Sequence, residues 1–340
     1  MPAEEMPVNT TPDFRTANGY RSTGTVRVSA PGRLHLGYLD LAGTLGRRFG
    51  SLGIALDEPA TVIQMRRARG LSATGPYAGR AIEAAEKVAR YLGVDTAIEI
   101  TVETALPSHV GLGSGTQLDL SVAIGLCRLN DLDLATPELA LAVGRDGRSA
   151  VGVGAFAQGG VILDGGRKHG GNGVPPILAR LPFPAEWRVL LVHDGSRQGR
   201  SDEAQDFTLD DLPPFADTLA GHLTRLAVMV ALPALADGDV DYFAAAIGEM
   251  QRLQGEHYAG TQGERYVSAG VAQVMDWLEA CGLRGLGQSS WGPTGFAILG
   301  TQEHADRILE DARHRFADRP ELTFQCVRGR NSGAVVEYAQ

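Results

Sequence analysis

A glycine-rich string near the middle of the chain constrains the fold more than any other segment. It reads Pro-Ser-His-Val-Gly-Leu-Gly-Ser-Gly-Thr-Gln-Leu over residues 107–118, and an apolar run continues from Leu118 to Leu129. Glycine lets backbone N–H groups turn inward and lets a ligand approach the main chain closely. The free N–H groups and the positive dipole end of a following helix favour an anion. The string therefore predicts an anion-binding loop in front of a helix.

The apolar run predicts that this helix is buried. Apolar residues would occupy two of its sides: Leu118, Val122, Leu126 and Leu129 on one, and Leu120, Ile124 and Cys127 on the other. Such a helix would hold the loop rigidly. The alternative is an ordinary glycine-rich turn before a core helix, but the whole string favours the anion loop. The predicted ligand contacts are Gly111, Gly113, Ser114, Gly115, Thr116 and Gln117.

Composition limits the kinds of partner. The chain has 340 residues, 44% of them hydrophobic and 21% charged, with a net charge of −9. This length can bury one large core or two modest ones. An acidic balance argues against a general nucleic-acid binder, so a phosphate ligand would need local arginines.

The ends and the cysteines of the chain point to a cytoplasmic protein. Cys127, Cys281 and Cys326 are too few and too scattered for a disulfide framework or a zinc site. Residues 1–24 are polar and broken by prolines and glycine, so we expect a disordered extension rather than a signal peptide. No stretch is expected to approach the length of a membrane span, so we expect no membrane partner.

Periodicity along the chain predicts an α+β protein. Residues 25–30 and 98–102 alternate as strands, and Gly79–Leu92 has helical spacing that ends at Gly93. Glycine and proline between Gly165 and Pro184 mark the expected domain junction. The later elements are expected at Val189–Val192, Phe296–Leu299 and Leu322–Val327 as strands, and at Leu223–Leu235, Tyr242–Leu253, Val267–Ala280 and Glu303–Phe316 as helices.

Arginines and histidines near glycines are candidate anion ligands. Arg33, Arg145 and Arg148 lie in glycine-bearing segments, where a guanidinium can bind phosphate or carboxylate with two hydrogen bonds. In an acidic protein such loop arginines are better candidates than arginines on helix faces, although solvated surface charge is the alternative. His35 and His109 could donate to an anion, act as an acid or base near neutral pH, or cap a loop carbonyl.

Two acids and one loop complete the candidate site. Asp40 and Asp164 are the acids expected to face a magnesium-bound pyrophosphate, since magnesium prefers carboxylate and phosphate oxygens. Asp164 could equally form a turn at a strand end. The loop over residues 287–295 could close over a planar aromatic substrate, or its tryptophan could anchor two domains. Its candidate contacts are Ser289, Ser290, Trp291 and Thr294.

Several segments together resemble one protein family. Residues 107–118 resemble the phosphate loop of the GHMP superfamily, which includes galactokinase, homoserine kinase and mevalonate kinase. Residues 30–37 (Ala-Pro-Gly-Arg-Leu-His-Leu-Gly), residues 144–166 and the loop over 287–295 resemble β-ribofuranosylaminobenzene 5′-phosphate synthases, a branch of that superfamily. The resemblance keeps the same order over about residues 25–337.

The resemblance implies a two-domain GHMP-type fold and a reaction. A domain like ribosomal protein S5 domain 2 is expected over residues 25–184 and a ferredoxin-like domain over residues 185–340, with the active site between them. The implied substrates are phosphoribosyl pyrophosphate and 4-aminobenzoate, in methanopterin biosynthesis, with magnesium as cofactor and a homodimer as the assembly. Asp164, His35 and Arg148 are expected to be catalytic, and Asp40 and Asp164 to bind magnesium.

One departure from the superfamily bears on the reaction. Several GHMP kinases carry a catalytic aspartate in the segment after the phosphate loop, but no acid lies between Ser149 and Gly160 here. A phosphoribosyl transfer needs no such base, because its leaving group is pyrophosphate held by the loop and by arginines. Homoserine kinases also manage without that residue, so an ATP-dependent small-molecule kinase stays open. A non-catalytic GHMP-like binding protein is the third alternative.

Overall fold

The computed structural model describes residues 24–145, 147–197, 199 and 212–339. Residues 1–23 of the predicted disordered extension lie outside the described residues. Over the described part of the chain, two β-sheets are covered by helices, which confirms the α+β prediction.

The N-terminal sheet is built on one long hairpin. Strand β1 (Thr25–Asp40) pairs antiparallel with β2 (Arg47–Arg67), from Val26 opposite Met65 to Asp40 opposite Phe49. The first strand continues well beyond the predicted end at Ala30, because register shifts at Pro31–Gly32 and after His35 bend it without ending the pairing. The other strands of this sheet are β3 (Ser72–Thr74), β4 (Ile98–Thr104), β5 (Val161–Asp164), β6 (Arg167–Lys168), β7 (Ile177–Leu181) and β12 (Val335–Ala339).

Four helices lie on this sheet: α1 (Ala78–Leu92), α2 (Ser114–Leu129), α3 (Thr136–Ala142) and α4 (Val151–Ala157). Helix α1 ends at Gly93, whose φ of 67° gives the predicted left-handed cap. Helix α2 is buried on nearly all sides because it lies between the β1–β2 hairpin and the other three helices. It therefore forms the rigid mount that the apolar run predicts.

The second sheet is antiparallel, in the order β11-β8-β10-β9. Its strands are β8 (Arg188–Asp194), β9 (Leu286–Gln288), β10 (Thr294–Leu299) and β11 (Leu322–Val327). Helices α8 (Ala269–Ala280) and α9 (Gln302–Arg315) cover one face, where Val274 and Ala305 are fully buried. Helix α7 (Val240–Gln262) contacts β9, β10 and β1, so it lies between the two sheets.

One helical stretch does not match the sequence expectation about membranes. It runs from Asp217 to Asp237 as α5 (Asp217–Leu226), a π-helical turn (Ala227–Ala231) and α6 (Leu232–Asp237). Its length and apolar composition would be enough to cross a membrane, contrary to the expectation that no stretch approaches a span. In this fold it packs on β1 and α7, with Leu223 fully buried in the core.

The last strand corrects the predicted domain boundary. Strand β12 pairs with β1, with Val335 opposite Ser29, so the chain returns to the N-terminal sheet. The prediction that residues 185–340 all belong to the C-terminal domain is therefore wrong at its end. The returning strand covers an edge of β1 that would otherwise present unpaired backbone groups. One hydrophobic core then joins both sheets, with Leu34 and Phe243 among its members.

Candidate functional site

Three of the sequence motifs meet where the two sheets adjoin. The Ser289 hydroxyl accepts the backbone N–H of His35 at 3.0 Å and donates to the Gly111 carbonyl at 2.6 Å. The Ser290 N–H donates to the His35 carbonyl at 3.1 Å. Because Ser289 is completely buried, these bonds fix β1, the glycine loop and the loop after β9 relative to one another.

The glycine loop presents backbone donors at the start of α2. Gly111 and Gly113 have φ values of 88° and 86°, a conformation that side chains with a Cβ rarely adopt. A Cβ at Gly111 would overlap the Ser289 carbonyl oxygen. Gly113 is the N-cap residue of α2, so the N–H groups of the first helical turn have no acceptor within the helix. This is the geometry that binds an anion.

A buried carboxylate holds two arginines over that helix end. Asp119 on α2 accepts two hydrogen bonds from Arg80, each of 2.9 Å, and two from Arg145, of 3.2 and 3.0 Å. A Cβ at Gly115 would lie 2.8 Å from a guanidinium nitrogen of both arginines. Since one carboxylate pairs with two cations, the cluster keeps a net positive charge.

We call the open space formed here the anion pocket. Arg33 contributes a third guanidinium, which donates to the Gly111 carbonyl. No described residue that lines this pocket is acidic. Its lining includes Arg33, Arg80, His109, Gly111, Gly113, Ser114, Gly115, Thr116, Arg145, Ser290 and Trp291. Most of the predicted phosphate contacts are therefore brought together.

A second space, the central recess, opens beside the anion pocket. Arg33, Thr116, Arg145 and Ser290 line both spaces, so the two are continuous. Arg148 lines only the recess. The predicted catalytic arginine thus lies near, but not in, the pocket formed by the glycine loop.

His35 lies at the edge of the recess as a buried, neutral side chain. Its Nδ1 accepts the N–H of Gly37 at 3.2 Å, which assigns the proton to Nε2. Burial, followed by the nearby charge of Arg33, lowers the pKa of His35 to about 3. Of the alternatives for His35, this favours a donor to an anion over an acid or base that titrates near neutral pH. Nε2 is buried and has no hydrogen-bond partner among the described residues, so it remains a donor.

The third space, which we call the aromatic cavity, lies between β1 and α7. Its walls include Tyr38, Tyr258 and Trp291, and the ring centroids of the last two are 4.9 Å apart. Gln254 accepts the N–H of Tyr38 at 3.1 Å, which holds α7 against β1. The cavity meets the other spaces at His35, Tyr38, Ser290 and Trp291.

Asp164 faces none of these spaces, which corrects its predicted role. Its Oδ2 accepts from the hydroxyls of Ser51 and Ser149, at 2.6 and 3.2 Å, and from the N–H of Ala150 at 2.8 Å. Its Oδ1 accepts the N–H of Gly166 at 2.9 Å. Burial raises the pKa of Asp164, and these four donors oppose that effect. The carboxylate fixes the start of α4 and the turn after β5, so the catalytic prediction is wrong.

The carboxylates present do not fit a magnesium ion held by the protein. Asp40 forms a turn, in which its Oδ1 accepts the N–H groups of Ala42 and Gly43 at 2.8 and 2.9 Å. Asp119 is engaged by two arginines, and Asp164 by four donors. Within the described ranges, no three His, Cys, Asp or Glu side chains are grouped as a metal site. Asp40 and Asp164, the predicted magnesium ligands, line none of the three spaces, and a role for magnesium stays a prediction.

Three further predicted contacts hold the fold instead of lining a pocket. Gln117 is buried, and its amide donates to the Gly152 carbonyl at 2.9 Å. Thr294 is buried beside His193, with 3.4 Å between the hydroxyl oxygen and Nδ1. Neither these two nor Ser289 lines any of the three spaces. The amide nitrogen of Gln117 and the hydroxyls of Ser289 and Thr294 contact other groups of the protein, and their role as substrate contacts stays a prediction.

Sequence reasoning missed four residues that shape the site. Arg80 lies in the first turn of α1, a helix-face position that the sequence argument ranks below the loops. Asp119 is one acid inside an apolar helix, and a buried charge of this kind was a usable signal for a paired cluster. Tyr258 on α7 and Arg265 just after that helix carry no motif, and the packing of α7 against β1 brings this part of the chain to the site.

Comparisons of sequence agree with this architecture. The family described as GHMP kinases N terminal domain matches residues 77–160, and that described as GHMP kinases C terminal matches residues 231–318. The beta-ribofuranosylphenol 5'-phosphate synthase of Archaeoglobus fulgidus is 31% identical over 92% of this chain and 99% of its own length. The protein of that name from Methanothermobacter thermautotrophicus is 29% identical over 80% of this chain and 88% of its own.

Solved structures share the fold. Homoserine kinase from Cytophaga hutchinsonii superposes with a TM-score of 0.67 at 18% identity, over 94% of this chain and all of the kinase. Mevalonate diphosphate decarboxylase from Staphylococcus aureus gives a TM-score of 0.62 at 12% identity, over 92% of this chain and 98% of that protein. The predicted two-domain GHMP-type fold is confirmed.

Proposed function

Since this chain belongs to the beta-ribofuranosylphenol 5'-phosphate synthase family, we propose that it transfers a phosphoribosyl group from phosphoribosyl pyrophosphate to a para-substituted benzoate. The membership confirms the family that the sequence motifs indicate and makes the chain an enzyme. The motifs imply 4-aminobenzoate, whereas the names of the relatives specify a phenol product, which 4-hydroxybenzoate would give. The two acids share the ring and the carboxylate.

The proposed reaction balances without a proton or an oxidant. The bond from the ribosyl carbon to the pyrophosphate oxygen breaks, and the pyrophosphate takes the electron pair. The ring carbon that bears the carboxylate forms the new carbon–carbon bond. The bond to the carboxylate carbon then breaks, its electron pair restores the aromatic ring, and carbon dioxide leaves. The protein must bind the leaving group, align the two reactants and exclude water that would trap the sugar.

The anion pocket has the groups that such a leaving group needs. Arg33, Arg80 and Arg145 and the N–H groups at the start of α2 would bind the pyrophosphate and stabilise the charge that builds on it. Arg148, in the continuous central recess, would bind the phosphate on the ribose. Two anions on one sugar would thus be held by separate arginines, with the reacting carbon between them.

The observation that carries the proposal is the kind of side chain that the described residues bring to the site; Asp146, which follows Arg145 in the chain, lies outside the described residues. No described residue that lines the anion pocket, the central recess or the aromatic cavity is Asp or Glu. A carboxylate there would repel both substrates, each of which is an anion. A kinase that deprotonates a hydroxyl gains from a nearby base, whereas attack by a ring carbon with loss of carbon dioxide requires none. The described part of the site is therefore compatible with the synthase, and the match to synthases of this family favours it over the kinase alternative.

We also propose that magnesium enters as the complex of phosphoribosyl pyrophosphate rather than as a resident ion. Magnesium retains several waters and commonly binds through substrate phosphates, and the pocket supplies arginines rather than free carboxylates. A homodimer is proposed from the family resemblance. Exposed apolar side chains at Val228 and Met229 would support it. The three scattered cysteines, too few for a disulfide framework, support the proposed cytoplasmic location.

The test of the proposed function uses carboxyl-labelled 4-aminobenzoate and 4-hydroxybenzoate in separate reactions. With purified protein, phosphoribosyl pyrophosphate and magnesium, at least one acid should release labelled carbon dioxide and pyrophosphate in equal amounts, and ATP should not be consumed. Pyrophosphate without carbon dioxide would mean that water traps the sugar. If neither product forms and ATP is hydrolysed when a hydroxylated metabolite is added, the kinase alternative replaces the synthase.

A further inference from the structure

Unpaired polar atoms converge on the aromatic cavity. Among the described residues, four buried side-chain polar atoms have no hydrogen-bond partner, and three of them belong to residues that line this cavity. They are Nε2 of His35, the hydroxyl oxygen of Tyr258 and Nε of Arg265. Buried polar groups are nearly always paired, because leaving them unpaired costs stability. Three unpaired groups around one space indicate a polar ligand that completes them.

The walls of the cavity select a flat, apolar ligand body. Tyr258 and Trp291 form a tilted aromatic pair, with 49° between their ring planes. Tyr38 also lines the cavity, and its own ring is 4.8 Å from that of His35. Aromatic rings contact one another favourably in tilted and edge-to-face arrangements. A six-membered ring with one polar group at each end therefore fits the chemistry of this lining.

The cavity has two chemically different ends. His35 and Ser290 also line the central recess, so they mark the mouth, where a sugar substrate would lie. Arg265 lines neither the recess nor the anion pocket, so it marks the end away from the mouth, which we call the inner end. In the proposed reaction the attacked ring carbon carries the carboxylate and must face the sugar. The para substituent, on the opposite side of the ring, must then face the inner end.

We propose that the aromatic cavity binds the aromatic acid, with its carboxylate at His35 Nε2 and its para substituent at Tyr258 and Arg265. This assignment rests on the proposed function. In the described part of the chain, Arg265 contacts the ring of Tyr266 and forms no ion pair, so its guanidinium can donate to a ligand. Tyr258 can either donate or accept.

A neutral donor suits the carboxylate end. The carboxylate loses its charge as carbon dioxide forms, so a cation at this point would stabilise the starting acid more than the transition state. The low pKa of His35 keeps its imidazole neutral at physiological pH. The hydrogen bond from Nε2 would orient the carboxylate without holding its charge strongly. His35 is therefore assigned as a positioning residue in contact with substrate.

The groups at the inner end predict how the protein discriminates between para substituents. A hydroxyl oxygen can accept from Arg265 and donate to Tyr258. The amino nitrogen of an aniline shares its lone pair with the ring, so it can donate to Tyr258 but is a poor acceptor from Arg265. Removing the guanidinium should therefore weaken 4-hydroxybenzoate more than 4-aminobenzoate. Removing the Tyr258 hydroxyl should weaken both.

The test is isothermal titration calorimetry of 4-hydroxybenzoate, 4-aminobenzoate and unsubstituted benzoate, each with pyrophosphate present. Tyr258→Phe should weaken both substituted acids by about 3- to 10-fold, as expected for one neutral hydrogen bond. Arg265→Gln should weaken 4-hydroxybenzoate by about 10-fold or more and 4-aminobenzoate by less. Each variant should change the affinity for benzoate less than the affinity for the substituted acids. Neither variant should change the affinity for pyrophosphate alone.

Matched controls come from helix α7. Tyr242→Phe and Arg252→Gln change the same residue types outside the cavity, and neither should alter the affinity for any of the acids. Equal losses in the control variants, loss of pyrophosphate binding, or wild-type affinities in Tyr258→Phe and Arg265→Gln would overturn the assignment.

Failure of the assignment can be told apart from failure of the proposed function. If the protein releases carbon dioxide and pyrophosphate while both cavity variants keep their affinities for the acids, the cavity assignment is wrong and the function stands. If the acids bind and the cavity variants weaken them, but no carbon dioxide is released, the assignment stands and the function is wrong. A protein that binds none of the acids contradicts both.

Discussion

The anion pocket and the aromatic cavity adjoin at Ser290 and Trp291, yet they are built in opposite ways. The pocket is lined by backbone N–H groups, most of them from one continuous string, and by three arginines from separate parts of the chain. The cavity is lined by aromatic rings and amides from β1 and α7, which lie more than 200 positions apart in the sequence, as the pairing of Tyr38 with Gln254 at a separation of 216 shows. Charge is thus concentrated where an anion would leave, whereas the ring that would attack meets aromatic and amide groups and one guanidinium, that of Arg265 at the inner end.

The largest expected effect would come from placing a side chain in the anion pocket. Gly113→Val puts a branched residue at a φ of 86°, with its Cβ 3.2 Å from the Arg33 side chain. We expect kcat/KM for phosphoribosyl pyrophosphate to fall by more than about 100-fold, because the helix N-terminus no longer accepts the phosphate. Calorimetric affinity for the aromatic acid should be retained. Gly221→Ala, at a helical position with open space around it, is the control and should behave as wild type.

Removing one arginine tests the same pocket with a smaller expected effect than Gly113→Val. Arg145→Gln should raise the KM for phosphoribosyl pyrophosphate by about 10- to 100-fold, the range for losing hydrogen bonds to a charged group. The variant should fold, because Arg80 still pairs with both oxygens of Asp119. Arg66→Gln removes an exposed arginine paired with Glu99 and should leave this KM unchanged. A comparable rise in Arg66→Gln would mean that the pocket acts through net charge alone.

Asp164→Asn separates a structural acid from a magnesium ligand. An amide cannot accept all four of the donors around this carboxylate, so we expect the free energy of unfolding to fall by about 1–3 kcal/mol. Activity as a function of magnesium concentration should keep its wild-type midpoint. A midpoint moved to higher magnesium would restore Asp164 as a ligand and contradict the burial argument.

The smallest expected effect concerns pH. A buried His35 with a pKa of about 3 takes up its proton in the unfolded chain near pH 6.5 but not in the folded protein. The unfolded state therefore binds more protons between these values, and stability falls as the pH falls from about 6.5, by about 1.4 kcal/mol per pH unit from this group. Denaturant titrations of His35→Asn should show a shallower decline between pH 6 and 5. Parallel declines would mean that His35 is not buried as a neutral base.

The two regions also differ in how far the sequence predicts them. Residues 107–118 are contiguous, and their glycines have a local physical meaning, so the loop, its helix and several contacts were predictable. Arg33, Arg145 and Trp291 were predicted as binding residues and line the anion pocket. No local pattern distinguishes Tyr258, whose position depends on how α7 packs against β1. Long-range packing, rather than local propensity, determines which residues line the aromatic cavity.

The predicted site residues that line none of the three spaces have a common physical explanation. Asp40, Asp164 and Thr294 were chosen because their side chains suit ligand chemistry, but the same groups can satisfy backbone donors or pack beside a neighbouring side chain. Sequence shows the chemical type of a side chain and not which partner it has. Arg80 shows the converse, since a helix-face arginine becomes part of the pocket once the buried carboxylate of Asp119 holds it there.

The central claim is that each substrate has its own region, and crossed steady-state kinetics test it most directly. KM for phosphoribosyl pyrophosphate and for the aromatic acid should be measured in Arg145→Gln, in Arg265→Gln and in the double variant. We predict that Arg145→Gln raises only the first KM, that Arg265→Gln raises only the second, and that the double variant shows both increases independently. If either single variant raises both KM values to a similar extent, the two regions do not divide the substrates and the account is wrong.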